Sequence, residues 1–170
     1  MADYVIFKHL KNEDIYFKNF SGAKGTYNDE GDRNFAIWIP EEEVDDLIER
    51  GFNIKRVKKE TSPNFGRPYL KALVRLTWRP NPKIFKLTSK NITKLDEESI
   101  GDLDFMIFDD ISLKITRMYL KKYNQWTQVL EKGYFTLTED DDYELDAEYA
   151  DRFSAGPITE EEDDDFIPFK

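Results

Sequence analysis

Residues 68–80 read PYLKALVRLTWRP, and the conformation of this stretch decides the fold class. Lys71, Arg75 and Arg79 are four residues apart, a spacing that fits one face of a helix and equally one face of a strand. The two prolines that bound the stretch leave about eleven residues between them, which is short for an isolated helix and usual for a long strand. We therefore predict a strand whose apolar face carries Leu70, Ala72, Val74, Leu76 and Trp78.

The segments on either side of this stretch also favour strands. Residues 33–39 alternate, with Phe35, Ile37 and Ile39 on one face. Residues 15–20 are rich in β-forming residues and end at a Ser-Gly turn, so we interpret them as the first strand of the domain. Further strands are predicted over residues 54–59, 83–88, 111–120 and 127–137, the last two as an antiparallel pair around a turn at 121–126.

Two short helices are predicted between the strands. Pro40 and three glutamates open the first, because Pro suits the first turn and carboxylates favour the positive end of the helix dipole, and Gly51 ends it. The second covers residues 95–106, where apolar residues recur at every third position after an acidic first turn. About six or seven strands with two short helices indicate an α+β, β-rich fold. We predict one domain over residues 1–153, closing on a loose helix at 140–153, and a free tail over 154–170.

The net charge of −10 conceals a strong division along the chain. Residues 50–94 contain 13 Lys and Arg against Glu60 alone, or +12, whereas residues 138–170 contain 2 against 14, or −12. A polyanionic tail of equal and opposite charge can compete for the basic surface of the same molecule. The alternative is chance clustering of surface charge.

The chain closes on EEEDDDFIPFK, residues 160–170. Six consecutive carboxylates repel one another and lose hydration on burial, so we predict a solvated, disordered segment. An apolar cluster follows the charge, which is the layout of a short docking peptide in which charge steers the encounter and an aromatic ring fills a pocket. The tail residues assigned to partner binding are Asp163, Asp164, Asp165, Phe166, Ile167, Pro168 and Phe169.

This ending resembles that of bacterial single-stranded DNA-binding proteins, which close on Asp-Asp-Asp-Ile-Pro-Phe, and of several phage counterparts. Here Phe166 is inserted into the pattern and Lys170 follows it. The resemblance implies an OB-fold-like antiparallel barrel or sheet that coats single-stranded DNA without strong sequence preference during phage replication, recombination and repair. It also implies a tail that recruits a polymerase, helicase or recombinase, and a body that is compatible with homo-oligomers. For a phage protein, the expected location is the host cytoplasm.

The body of the chain supports this hypothesis because cations are interleaved with aromatic residues in its basic third. Lys and Arg neutralise phosphates, and flat side chains stack on the unpaired bases of a single strand. Tyr69, on the predicted Lys71 and Arg75 face, and Tyr123 and Trp126, in a polar turn, are the candidates for stacking. The electrostatic candidates are Lys55, Arg56, Lys58, Lys59, Arg67, Lys71, Arg75, Arg79, Lys83 and Lys86.

The chain contains few of the residues that enzymatic functions need. The chain has no Cys and one His, His9, which excludes a Cys-His pair and disfavours a His-based triad. It has no glycine-rich phosphate loop, and no cofactor, metal or membrane partner is expected. Two alternatives remain: an acidic DNA mimic that inhibits a nuclease or DNA-binding enzyme, and a Mg²⁺ nuclease using Asp109-Asp110 or Asp140-Asp141-Asp142.

Overall fold

A computed structural model describes residues 3–25, 29–79 and 81–138. Within these ranges nine strands form one sheet. In chain order the strands are β1 (Tyr4–Leu10), β2 (Ile15–Asn19), β3 (Asn34–Trp38), β4 (Ile54–Arg56), β5 (Pro68–Leu73), β6 (Lys83–Leu87), β7 (Ile92–Lys94), β8 (Phe108–Leu120) and β9 (Gln125–Leu137). The described part also contains one α-helix, α1 (Glu41–Glu49), and 3-10 helices at Asn12–Asp14, Ile100–Phe105 and Lys121–Tyr123.

Strand β9 is the hub of the sheet. The main path runs β1-β8-β9-β5-β3-β2, while β6 pairs with β9, β7 with β6, and β4 with β5. The contacts of β9 with β5 and β6 are parallel, and the other strand pairs are antiparallel. The predicted antiparallel pair is confirmed and longer than expected, because its register extends from Phe108 opposite Leu137 to Leu120 opposite Gln125.

The central strand is confirmed, but it ends at Leu73 rather than at Trp78. Beyond it the Arg75 guanidinium turns back to the Asp32 carboxylate at 2.6 Å and to the Arg33 carbonyl at 2.7 Å. These contacts direct the chain out of the sheet, and residues 76–79 form a turn and bend. Strand β4 is likewise shorter than the predicted 54–59.

Two strands were not predicted, and the second helix has a different geometry. Residues 15–19 form the second strand of the sheet rather than the first, because β1 precedes them in the chain. Strand β1 lies at the edge of the sheet, and Val5 is its only buried residue. Strand β7 is a three-residue partner of β6. The second helix is a 3-10 helix, Ile100–Phe105, in which Ile100 and Leu103 are buried. Its apolar spacing of three matches the three residues per turn of a 3-10 helix.

The first helix agrees with its prediction. Val44 and Leu47 face the core, whereas Ile48 is half exposed. Gly51 has a φ of +94°, the left-handed conformation that ends helices, and the Arg117 side chain lies where a Cβ would stand.

Strand β3 is buried on both faces. Phe35, Ile37 and Ile39 enter the main core, which confirms their common face. The opposite face is covered too, by a smaller group that we call the second aromatic cluster: Phe17, Ala36, Trp38, Val57 and Tyr69.

The predicted class, an α+β, β-rich fold with short helices, is confirmed. Among residues 3–25, 29–79 and 81–138, no helix has the length and apolar character that crossing a bilayer requires. The predicted helix at 140–153, the domain boundary at 153 and the tail lie outside the described residues.

Candidate nucleic-acid interface

A cleft of about 580 Å³ opens between the loop that follows β5 and the tip of the β8–β9 hairpin. We call it the tip cleft. Its lining residues are Leu73, Arg75, Trp78, Arg79, Met118, Tyr119, Leu120, Lys121, Lys122 and Tyr123.

Local interactions hold both walls of the tip cleft. On the hairpin side, Asn124 adopts a left-handed φ of 50°, and the Tyr119 hydroxyl donates a hydrogen bond to its side-chain oxygen. On the loop side, Arg75 is anchored by its ion pair with Asp32. The Arg75 side chain is only 19% exposed and the Asp32 side chain only 14%. The Arg75 guanidinium lies 5.7 Å from the centre of the Trp78 ring.

The chemistry of the tip cleft suits a single-stranded polyanion. Arg79, Lys121 and Lys122 are exposed cations, and aromatic side chains are interspersed with them. Among the described residues that line the cleft, there is no carboxylate to repel phosphate. Cations for phosphates and rings for unpaired bases are the two components of single-strand binding.

The structure brings three of the predicted site residues together in this cleft: Arg75, Arg79 and Tyr123. They do not have equal roles. The charge of Arg75 is neutralised by Asp32, so Arg75 positions the loop, whereas Arg79 is exposed to solvent.

Trp126 lies at the same end of the hairpin but outside the tip cleft. Its ring is 44% exposed, with the Arg117 guanidinium 4.3 Å from the ring centre and the Tyr119 ring at 5.5 Å. Its carbonyl accepts a hydrogen bond from the Asn53 side chain at 3.0 Å. Trp126 is therefore a separate stacking candidate.

A second group of predicted cations lies on β4 and the loop after it, and its members do not line the tip cleft. Arg56 makes a two-pronged contact with Glu41 at 2.5 and 3.0 Å, and hydrogen bonding to Glu41 raises the pKa of Arg56. The Arg67 guanidinium lies 4.1 Å from the centre of the Trp38 ring. The exposed lysines of this group are Lys55, Lys58 and Lys59.

The prediction for Tyr69 is wrong. Its side chain is 0% exposed, with its ring edge-on to Trp38 at a centroid distance of 6.2 Å in the second aromatic cluster. A fully buried ring offers no face to a base. Lys71, on the same side of β5, is half buried and does not line the tip cleft.

The remaining predicted cations, Lys83 and Lys86, belong to β6. Successive strand residues point to opposite faces, so these two do not share a surface. Lys83 is exposed opposite Lys132, whereas Lys86 is half buried opposite Phe135.

Sequence reasoning missed four cationic or aromatic residues that line the tip cleft. Trp78 was assigned to the apolar face of a strand, which would have been correct had β5 continued past Leu73. Tyr119 precedes the predicted turn, and Lys121 and Lys122 lie within it. Their mixture of cations and rings was the signal available for finding them.

The Mg²⁺ nuclease hypothesis gains no support from the described carboxylates. Within the part of the chain that the structure describes, no group of three or more His, Asp or Glu residues is arranged to hold a metal ion. Asp110 instead contacts His9 Nδ1 at 2.9 Å, and the Asp109 carbonyl accepts a hydrogen bond from Lys11 at 3.2 Å. Asp140, Asp141 and Asp142 lie outside the described residues, as do the tail residues 163–169.

A family model described as "Putative phage ssDNA-binding domain" matches residues 4–168. The match covers nearly the whole chain, so the protein belongs to this family of phage single-stranded DNA-binding domains. The family resemblance inferred from the tail is thereby confirmed.

Comparison with solved structures found the single-stranded DNA-binding protein of bacteriophage Enc34. Its complex with single-stranded DNA has a TM-score of 0.47 at 12% identity, covering 81% of this chain and 88% of that chain. A C-terminal truncation of the Enc34 protein has a TM-score of 0.45 at 12% identity, with coverages of 81% and 88%. A further structure of the same protein has a TM-score of 0.47 at 12% identity, with coverages of 81% and 83%. No curated protein sequence matched this chain.

Proposed function

We propose that this protein binds single-stranded DNA without strong sequence preference, and that the tip cleft is a principal contact site. The supporting observation is the cleft itself, in which exposed cations alternate with aromatic side chains and no described lining residue carries a carboxylate. Membership of the phage family supports the same ligand. The role is binding rather than catalysis.

The preference for single strands follows from the aromatic residues. Bases in a duplex are already stacked on each other, whereas the bases of a single strand can stack on protein rings, each worth roughly 1–3 kcal/mol. Trp78 and Tyr123 offer rings of this kind on opposite walls of the tip cleft.

The biological role we propose is to coat and protect single strands during phage DNA replication, recombination and repair in the cytoplasm of the host. In this proposal the tail residues 163–169 recruit a polymerase, helicase or recombinase, and the protein can form homo-oligomers. The sequence of the tail, with acidic residues before an apolar tip, supports the recruiting role.

The test is a salt titration of the full-length protein binding to a fluorescent oligo-dT, with a duplex of equal length as competitor. We expect tight binding that resists the duplex and weakens with salt by a slope of about 0.7 per phosphate neutralised. Absence of binding at low salt, with full-length and tail-deleted protein alike, would contradict the proposal and favour the acidic DNA mimic.

The charge division motivates a second test, on regulation by the tail. In this proposal the acidic tail occupies part of the basic surface when DNA is absent, and DNA displaces it. Deletion of residues 157–170 is therefore expected to tighten oligo-dT binding, most strongly at low salt, and to weaken partner recruitment. Unchanged DNA affinity on deletion would exclude the competition while leaving single-strand binding intact.

A further inference from the structure

A second surface with the chemistry of a single-strand site lies on the outer face of the sheet. Phe85 on β6 and Tyr134 on β9 are register partners, and their rings stack with centroids 5.1 Å apart and planes at 12°. Tyr134 is 38% exposed. Ser112 on β8 is the register partner of Tyr134 on its other side.

The small Ser112 side chain leaves space beside Tyr134. A depression of about 470 Å³ occupies this part of the sheet, and Tyr134 and Ser112 both line it. Lys8, Lys114 and Lys132 line the same depression. An aromatic ring beside an open space with three lysines around it meets the requirements for stacking one base and neutralising its neighbouring phosphates.

The depression and the tip cleft lie along one face of β8. Ser112 and Lys114 line the depression, while Met118 and Leu120 line the cleft. All four are even-numbered residues of one strand, so their side chains point to the same side. The six residue steps from Ser112 to Met118 span roughly 20 Å at the usual rise per residue.

Glu131 lies at the irregularity in the β8–β9 register between these two sites. Its carboxylate contacts Lys114 Nζ at 2.6 Å and accepts a hydrogen bond from the Thr116 hydroxyl at 3.1 Å. A carboxylate here offsets the charge of Lys114 and repels a phosphate that passes between the two sites.

We propose that the depression beside Tyr134 is a second nucleotide-binding site, and that one single strand occupies it together with the tip cleft. This inference rests on the proposed function. Tyr134 stacks on a base, and Lys114 and Lys132 contact phosphates. The Glu131 carboxylate weakens binding of the DNA segment that passes between the two sites.

The test compares a short oligo-dT of about 5 nucleotides, sufficient for one site, with one of about 15 nucleotides, within the range of site sizes known for related folds. Tyr134→Ala is expected to weaken binding of the long oligonucleotide roughly tenfold, with little effect on the short one. Phe65→Ala, which removes an exposed ring from the loop after β4, is the matched control and should affect neither.

Glu131→Gln provides an independent test, because this variant gains rather than loses binding. It removes a negative charge between the sites and releases Lys114, so we expect severalfold tighter binding of the long oligonucleotide and no change for the short one.

The outcomes separate this inference from the function on which it rests. Failure of the wild-type protein to bind either oligonucleotide would contradict the proposed function. Wild-type binding to both, with Tyr134→Ala and Glu131→Gln affecting both lengths equally or neither, would overturn the second site alone. Light scattering that shows a wild-type dimer and a Tyr134→Ala monomer would overturn it as well, by assigning the surface to a second copy of the chain.

Discussion

The tip cleft and the second aromatic cluster are built from the same kinds of residue. Each combines aromatic rings with arginine, and each contains residues that the sequence predicted to bind DNA. In the cluster, Trp38 and Tyr69 are buried and Arg67 covers the Trp38 ring. In the tip cleft, the aromatic side chains line an open cavity, and the cations Arg79, Lys121 and Lys122 are exposed.

The difference shows that exposure, rather than composition, separates a binding surface from a core. Strands β3 and β5 lie inside the sheet, where the main core covers one face and the second aromatic cluster fills the other. The end of the β8–β9 hairpin instead presents Tyr119 and Trp126 to solvent.

Tyr69→Ala should have the largest effect, and on stability rather than on binding. Removing a fully buried aromatic side chain costs about 3–5 kcal/mol, because the surrounding structure fills the cavity only in part. Denaturant unfolding monitored by tryptophan fluorescence measures this loss in the free energy of unfolding. Trp78→Ala is the control and should cost under about 1 kcal/mol by the same measurement. Equal losses for the two variants would contradict the distinction between cluster and cleft.

Lys18 is a largely buried cation, and its titration should make the stability of the protein depend on pH. The Lys18 amine donates hydrogen bonds to the carbonyls of Leu103 and Met106, and burial lowers the pKa of Lys18 to about 8. The folded protein therefore releases this proton at lower pH than the unfolded chain does, so stability rises from about pH 8 toward the unfolded pKa.

The size of this gain follows from the shift in pKa. Relative to Lys18→Met, the wild-type protein should gain roughly 2–3 kcal/mol in the free energy of unfolding between pH 7 and pH 10. Urea unfolding of both proteins across this range measures the difference. A constant difference between the two proteins would show that the amine is as hydrated as those of Lys121 and Lys122.

Trp78→Ala should weaken DNA binding with little loss of stability. If one base stacks on this ring, its removal costs about 1–3 kcal/mol of binding free energy. Fluorescence anisotropy with oligo-dT at constant salt measures the change in Kd. The Arg75 guanidinium lies 5.7 Å from the centre of the same ring. Trp78→Phe keeps an aromatic ring at this position, so it tests whether binding needs a ring or the indole in particular. We expect this variant to retain most of the affinity. Full affinity in the Ala variant would exclude Trp78 from the contact surface.

The smallest expected effect is on the salt dependence of binding. Replacing both Lys121 and Lys122 by Ala removes up to two phosphate contacts from the tip cleft, which should lower the slope of log K against log salt by about 1.4. The double variant Lys58→Ala, Lys59→Ala removes the same charge from the loop after β4 and should leave the slope nearly unchanged. Equal losses of slope in the two variants would place DNA on both surfaces.

Local sequence patterns predicted the elements that depend on local physics. The alternation of residues 33–39 predicted β3, and the Pro-Glu start with a glycine stop predicted α1. The paired strands 111–120 and 127–137 were found because their alternation continues on both sides of a polar turn. In these segments, local propensity and burial favour the same structure.

Elements that depend on distant partners were missed or misplaced. β1 buries only Val5 and is stabilised by pairing with β8, a strand about a hundred residues away in the chain. The end of β5 depends on Arg75 reaching Asp32, which no pattern near residue 75 reveals.

The β-rich class, the division of charge and the kinds of residue available for binding DNA can all be predicted from the sequence, because they follow from composition and short-range periodicity. Which rings and cations are accessible depends on how the sheet packs. Tyr69 lies in a strand that is covered on both faces, whereas Trp78 lies just beyond the point where that strand leaves the sheet. Accessibility depends on what packs against a residue from elsewhere in the chain, and that is a property of the folded sheet rather than of any one segment.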